Sequence, residues 1–134
     1  MTVPQPYDTR VIPRATFIDP EVASIGLTES IATRAGIAVT VQRFLFSHLD
    51  RAILHGEPKG LVKLVVDSKN GEVIGGHIVG PQASSLIAEI ALAMKHRLTV
   101  SDIAETMHAY PSFPEAIEAA ALSTPTFVGQ VESN

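Results

Sequence analysis

The sequence predicts an α+β domain in which an antiparallel sheet, containing a hairpin, is covered by helices. Three observations predict it. Two runs of branched residues, Leu61–Val66 and Val73–Val79, flank Ser68-Lys69-Asn70-Gly71, and an Asn-Gly pair between such runs is a strong hairpin signal. Beyond Val79 the apolar period lengthens to that of a helix, with Leu86, Ile90, Ala93 and Met94 on one stripe. Strand signals therefore come first and helix signals second, the order of an α+β fold.

Taken in order, residues 1–9 carry Pro4 and Pro6 and read as a linker or disordered start, with the folded domain expected over 10–122. A strand runs from Arg10 through Val11, Ile12, Ala15 and Phe17, interrupted by Pro13 and closed by Asp19-Pro20. Ser24 to Leu27 is a short apolar run. Thr28 suits the N-cap of a helix from Glu29 to Ala35, and Gly36 its C-terminal stop. Val39 to Ser47 alternates as a strand with packing on both faces near its end, and Asp50 to Pro58 reads as loop. Gly75-Gly76 inside the second hairpin strand implies a bulge or a close backbone approach. An amphipathic helix is predicted from Ala83 to Arg97, and a short one follows Thr99 through Asp102, Ile103 and Thr106. Ser112-Phe113-Pro114-Glu115 has the capping-box form that opens a last helix to Leu122, after which residues 123–134 read as a flexible tail.

Composition narrows the function. The chain has 134 residues, 46% hydrophobic and 18% charged, which is one ordinary globular domain. Cysteine is absent, so there is no disulfide framework and no cysteine nucleophile. With a net charge of −4 and 10 scattered basic residues, a nucleic-acid partner is not expected. Met1 to Asp8 lacks an apolar signal core and no run reaches membrane length, so no membrane partner and a cytoplasmic location are expected. Gly75-Gly76-His77-Ile78-Val79-Gly80 lacks the spacing of a dinucleotide-binding turn. The 5 histidines lack metal-ligand spacing, so no metal site is expected. His77 reads as a structural strand histidine, His96 as a complement to a helix C-terminus, and Asp50-Arg51 as solvated loop charges.

One stretch, Met107-His108-Ala109-Tyr110-Pro111-Ser112-Phe113-Pro114-Glu115, gathers an imidazole, a phenol and a carboxylate around a chain break. It reads either as a helix–helix connection in which Glu115 caps its own helix through Ser112, or as a site. A small independent enzyme using His108, Tyr110 and Glu115, such as a hydrolase, lacks the activated nucleophile near a glycine-rich turn that such chemistry needs.

The stretch resembles the C-terminal signature H-x-H-P-T-x-x-E of the glutathione reductase, dihydrolipoamide dehydrogenase and mercuric reductase superfamily. Phe17-Ile18-Asp19-Pro20-Glu21-Val22-Ala23-Ser24-Ile25-Gly26-Leu27-Thr28-Glu29, Gly60-Leu61-Val62-Lys63-Leu64-Val65 and Gly75-Gly76-His77-Ile78-Val79-Gly80-Pro81 match the same family in the same order, from about Val11 to Ala121. The resemblance implies the reductase dimerisation-domain fold and a homodimer. It also implies flavin and nicotinamide domains elsewhere in a parent enzyme, with FAD and NAD(P)H bound there and no cofactor in this chain alone. Redox cysteines and dinucleotide fingerprints have no match here, so the chain is expected to be a reductase fragment, inactive alone. A free-standing interaction module without redox chemistry is the alternative.

By position in the motif, the resemblance puts the family's catalytic histidine on Tyr110 and its glutamate on Glu115. Tyr110, Pro111 and His108 fall where the motif reaches the partner subunit's flavin. Ser112 replaces the usual threonine. Tyrosine departs from the pattern: a phenol titrates at about 10, so it donates a hydrogen bond and is a poor base at neutral pH. Mercuric reductases also have tyrosine there, but with a cysteine pair in the tail that this chain lacks. Tyr110-Pro111 is expected in the cis form, with the Tyr110 side chain exposed and its phenol without a fixed protein acceptor.

Overall fold

Alternation along the predicted strands puts one apolar row of each on a common side, and that side becomes the core. The computed structural model describes Pro4 and residues 6–128. The strands are β1 (Arg14–Thr16), β2 (Val22–Gly26), β3 (Val39–Leu45), β4 (Leu61–Asp67), β5 (Val73–Val79) and β6 (Thr126–Val128). They form one antiparallel sheet in the order β1-β2-β5-β4-β3-β6. The helices are α1 (Glu29–Arg34), α2 (Asp50–Leu54), α3 (Ala83–Lys95), α4 (Val100–Glu105) and α5 (Glu115–Leu122). None is long and apolar enough to cross a membrane among the described residues.

The hairpin β4–β5 turns at Gly71, whose φ of 78° is the left-handed conformation that the Asn-Gly signal anticipates. Its turn is tied by the Gly71 N–H on the Asp67 carbonyl at 2.8 Å and the Glu72 N–H on Asn70 Oδ1 at 2.9 Å. Gly75 and Gly76 prove to be places of close approach. A Cβ on Gly75 would lie 2.0 Å from the Leu27 carbonyl oxygen, and one on Gly76 2.7 Å from the Ile90 side chain. The same strand carries a register shift opposite Val65 and Val66.

Ala23, Ile25, Val62, Leu64 and Ile78 from the sheet meet the buried stripe of α3 (Leu86, Ile87, Ile90, Ala93 and Met94) and Ile117 and Ala120 of α5. A smaller cluster of Ala32, Val39 and Val65 lies under α1 on the opposite face. Thr28 caps α1 by accepting the Ile31 N–H at 3.2 Å, and Thr99 forms a full capping box with Asp102 at α4. The third helix ends at Lys95, short of the expected Arg97. Arg97 adopts φ 53° while the Leu98 N–H closes on the Ala93 carbonyl at 2.9 Å, a left-handed stop.

Two segments differ from expectation. Asp50 to Pro58, expected as loop, begins with the single-turn helix α2, because Leu49 and Ala52, three apart, are both buried. The tail expected to be flexible from Ser123 instead supplies β6, which pairs with β3 through Val39↔Val128 to Val41↔Thr126. Residues 129–134 of that expected tail, and residues 1–3 and 5 of the expected linker, lie outside the described residues. Gln42, 5% exposed on β3, donates from Nε2 to the carbonyls of Ala121 at 2.7 Å and Ser123 at 2.8 Å. It satisfies the carbonyls that a helix C-terminus leaves without partners.

Candidate functional site

The candidate motif occupies the connection between α4 and α5. Thr106 ends α4, and Tyr110-Pro111 is cis, as is Asp19-Pro20. Phe113 is buried, 6.2 Å from the Phe46 ring and edge-on to His55 at 5.7 Å. This aromatic seat fixes the connection on the core while Tyr110, 71% exposed, and Pro111 face outward.

Tyr110 and Glu115 share the rim of one shallow cleft of about 300 Å³, with Phe44, His48, Asp50 and Leu122. The Tyr110 hydroxyl donates to Asp50 Oδ2 at 2.7 Å, so the expectation of a phenol without a fixed acceptor is corrected. The reason is α2: helix formation brings the Asp50 carboxylate of its first turn to the cleft, where a loop reading had left it in solvent. The Asp50 carboxylate raises the phenol's pKa above its ordinary value, by accepting its hydrogen bond and by its charge, so Tyr110 keeps its proton and donates a hydrogen bond.

Glu115 Oε2 accepts the Ser112 N–H at 2.8 Å. This is one half of the capping box. The other half is missing, because Ser112 Oγ is buried with no hydrogen-bond partner among the described residues, and Pro114 takes the N-cap position. Glu115 thus holds the turn that carries Tyr110 and Pro111.

His108 lies behind the turn, at the junction of α3 and α5. Its side chain is 6% exposed, with Nε2 2.6 Å from Glu89 Oε1 and Nδ1 2.8 Å from the Thr106 carbonyl and 3.2 Å from Glu118 Oε2. Both ring nitrogens are occupied inside the domain, and His108 ties α3 to α5 through Glu89 and Glu118. Burial works against its charge, but the Glu89 hydrogen bond and charge overcome burial and raise its pKa above the ordinary histidine value. A raised folded pKa stabilises below the unfolded value, and that stability is lost as pH rises through the folded value. His108→Gln is therefore expected to cost about 1–2 kcal/mol at pH 5.5 and far less at pH 9, measured by urea unfolding of both proteins at each pH.

The residues that sequence reasoning missed are Asp50, Glu89 and Glu118. Glu89 did leave a signal: it is the lone acidic residue of the Ala83–Lys95 helix, which is apolar or small apart from Glu89 and the terminal Lys95. His77 fits its structural reading, donating to the Leu27 carbonyl at 3.1 Å, with burial lowering its pKa.

The deciding comparison is with the sequence model of the pyridine nucleotide-disulphide oxidoreductase dimerisation domain, which matches residues 12–121. The chain belongs to this family. The dimerisation domain is 45% identical over 111 residues to a dihydrolipoyl dehydrogenase of Mycobacterium tuberculosis, covering 83% of this chain and 24% of that protein. It is 40% identical over 118 residues to that of Chlorobaculum tepidum, covering 88% of this chain and 25% of the relative. Among solved structures it matches LpdA of Mycobacterium tuberculosis with a TM-score of 0.81 and 33% identity, over 87% of this chain and 26% of that one. The Escherichia coli HOCl-induced flavoprotein disulfide reductase RclA matches with a TM-score of 0.80 at 21% identity, over 84% of this chain and 26% of that one, a likeness of fold. The dimerisation domain spans about a quarter of the length of the relatives it matches.

Proposed function

We propose that this domain holds together the homodimer of a flavin-dependent NAD(P)H disulfide oxidoreductase of the dihydrolipoamide dehydrogenase or mercuric reductase kind, and presents Tyr110 and Pro111 to the partner subunit's flavin. The observation that carries this reading is the outward Tyr110, 71% exposed on a turn otherwise seated on the core by Phe113. FAD and NAD(P)H belong to other domains of the parent and supply the electron transfer when bound there. This chain's own contribution is a positioned hydrogen-bond donor: the phenol stays protonated at neutral pH, held in place by Asp50, and turns from that carboxylate to an acceptor on the partner. Glu115 acts through Tyr110 by fixing its turn. His108 braces the motif from behind through Glu89 and Glu118. Self-association is supported by apolar side chains left outside the helical layer, among them Leu92 at 60% and Leu122 at 65% exposure, since closed dimers reuse one patch on both subunits.

In the full-length parent, Tyr110→Phe is expected to lower turnover about a hundredfold, with flavin content and sedimentation unchanged. Unchanged turnover makes Tyr110 a packing residue and removes the hydrogen-bond-donor reading. A parent that sediments as a strict monomer at high concentration removes the dimerisation reading separately.

A further inference from the structure

The two faces of the sheet are unequally covered. The core face lies under α3 and α5, whereas among the described residues the opposite face carries only α1, above Val39 and Val65. Across the part of that face not under this cluster, the strand register aligns two rows. Arg14, Ser24, His77, Lys63 and Arg43 stand side by side from β1 to β3. Next to them, beyond Thr16 on β1, run Val22, Val79, Leu61 and Leu45, an aliphatic row whose outer end, Leu45, is 48% exposed. A basic row beside an aliphatic one stands out in a chain whose net charge is −4.

One helix already shows how this face is engaged. Glu29, in the first turn of α1, places Oε1 3.1 Å from Arg43 and Oε2 3.1 Å from Lys63. A lysine has three donors and an arginine five, so a single carboxylate leaves most of them unused, and Arg14 makes no side-chain ion pair among the described residues. A second helix beside α1 would complete the layer that a two-sided sheet requires. A second copy of this face is a poor occupant, because it brings arginine and lysine against arginine and lysine.

We propose that this open face docks an acidic amphipathic helix from another polypeptide segment, its apolar side on the Val22–Val79–Leu61–Leu45 row and its carboxylates on Arg14, Lys63 and Arg43. This surface is distinct from the helical face assigned to dimerisation, so either can fail without the other. The contact combines apolar burial with exposed charge pairs and weakens with salt.

The test titrates the labelled domain, followed by amide NMR, with a helical peptide of leucine and glutamate at amphipathic spacing. A lysine-for-glutamate version of the peptide and a short DNA duplex serve as competing probes. The expected result is movement of the Arg14, Lys63, Arg43 and Leu45 amides with the acidic peptide, and none with the lysine peptide. Binding should be at least about tenfold weaker in Arg14→Glu and in Arg43→Glu, whose circular dichroism stays that of the parent. Arg14→Glu lies away from the Glu29 pair and covers the case in which Arg43→Glu disturbs the fold. Three outcomes overturn the proposal: no response on this face, a response confined to α3 and α5, or tighter binding of the duplex than of the acidic peptide.

Discussion

Gly75→Ala is expected to destabilise the domain by about 3 kcal/mol, measured as the loss in urea-unfolding free energy. The added Cβ would stand 2.0 Å from the Leu27 carbonyl oxygen and 3.0 Å from its carbon, both backbone atoms. No side chain can turn away to relieve the clash, so β5 must separate from the strand that leads into α1. Gly36→Ala is the matched control. Its φ of 75° disfavours alanine, but none of the described residues lies within 4 Å of the new methyl, so the cost is conformational alone, about 1 kcal/mol. Equal losses for the two variants would show that Gly75 is chosen for chain flexibility and that the close approach carries no energy.

Phe46→Ala is expected to cost about 3–5 kcal/mol, because the ring is fully buried and its removal leaves a cavity that the surrounding sheet cannot close. The loss reaches the candidate site. Phe46 faces Phe113 at 6.2 Å, and Phe113 is the residue that seats the Tyr110–Glu115 turn. The Ser112 amide, protected by Glu115 in the parent domain, should therefore exchange with solvent faster in the variant than the amides of β4 do. A variant that loses stability while Ser112 keeps its relative protection would separate the core from the motif.

What was legible in the sequence was what neighbours along the chain decide. The β4–β5 hairpin follows from Asn70-Gly71 between two branched runs, and the buried face of α3 from its spacing. Thr28 and Thr99 mark helix starts because a cap needs partners only three residues away. The single-turn α2 and the three-residue β6 were hidden, since each exists through packing or pairing with distant residues and is too short to show a period. The site divides in the same way. Tyr110 and Glu115 stand out in the motif, and Glu115 meets Ser112 three residues away as the capping pattern anticipates. Asp50 reaches Tyr110 from 60 positions away and Glu89 reaches His108 from 19, so only the folded chain reveals that the phenol has an acceptor and that the imidazole faces inward.

The buried amide of Gln42 has a consequence for how the domain opens. Because Nε2 of this β3 residue carries the last carbonyls of α5, that helix cannot fray from its C-terminal end without leaving a polar group stranded in the sheet. The loosening of α5 and of β3 is thereby one event. The helix bearing Glu115 and the strand at the sheet's far side should behave as a single cooperative unit, its amides exchanging together near the global unfolding limit. A mechanical load applied to the Tyr110 turn would then be passed along α5 into β3 and would not be dissipated by local melting.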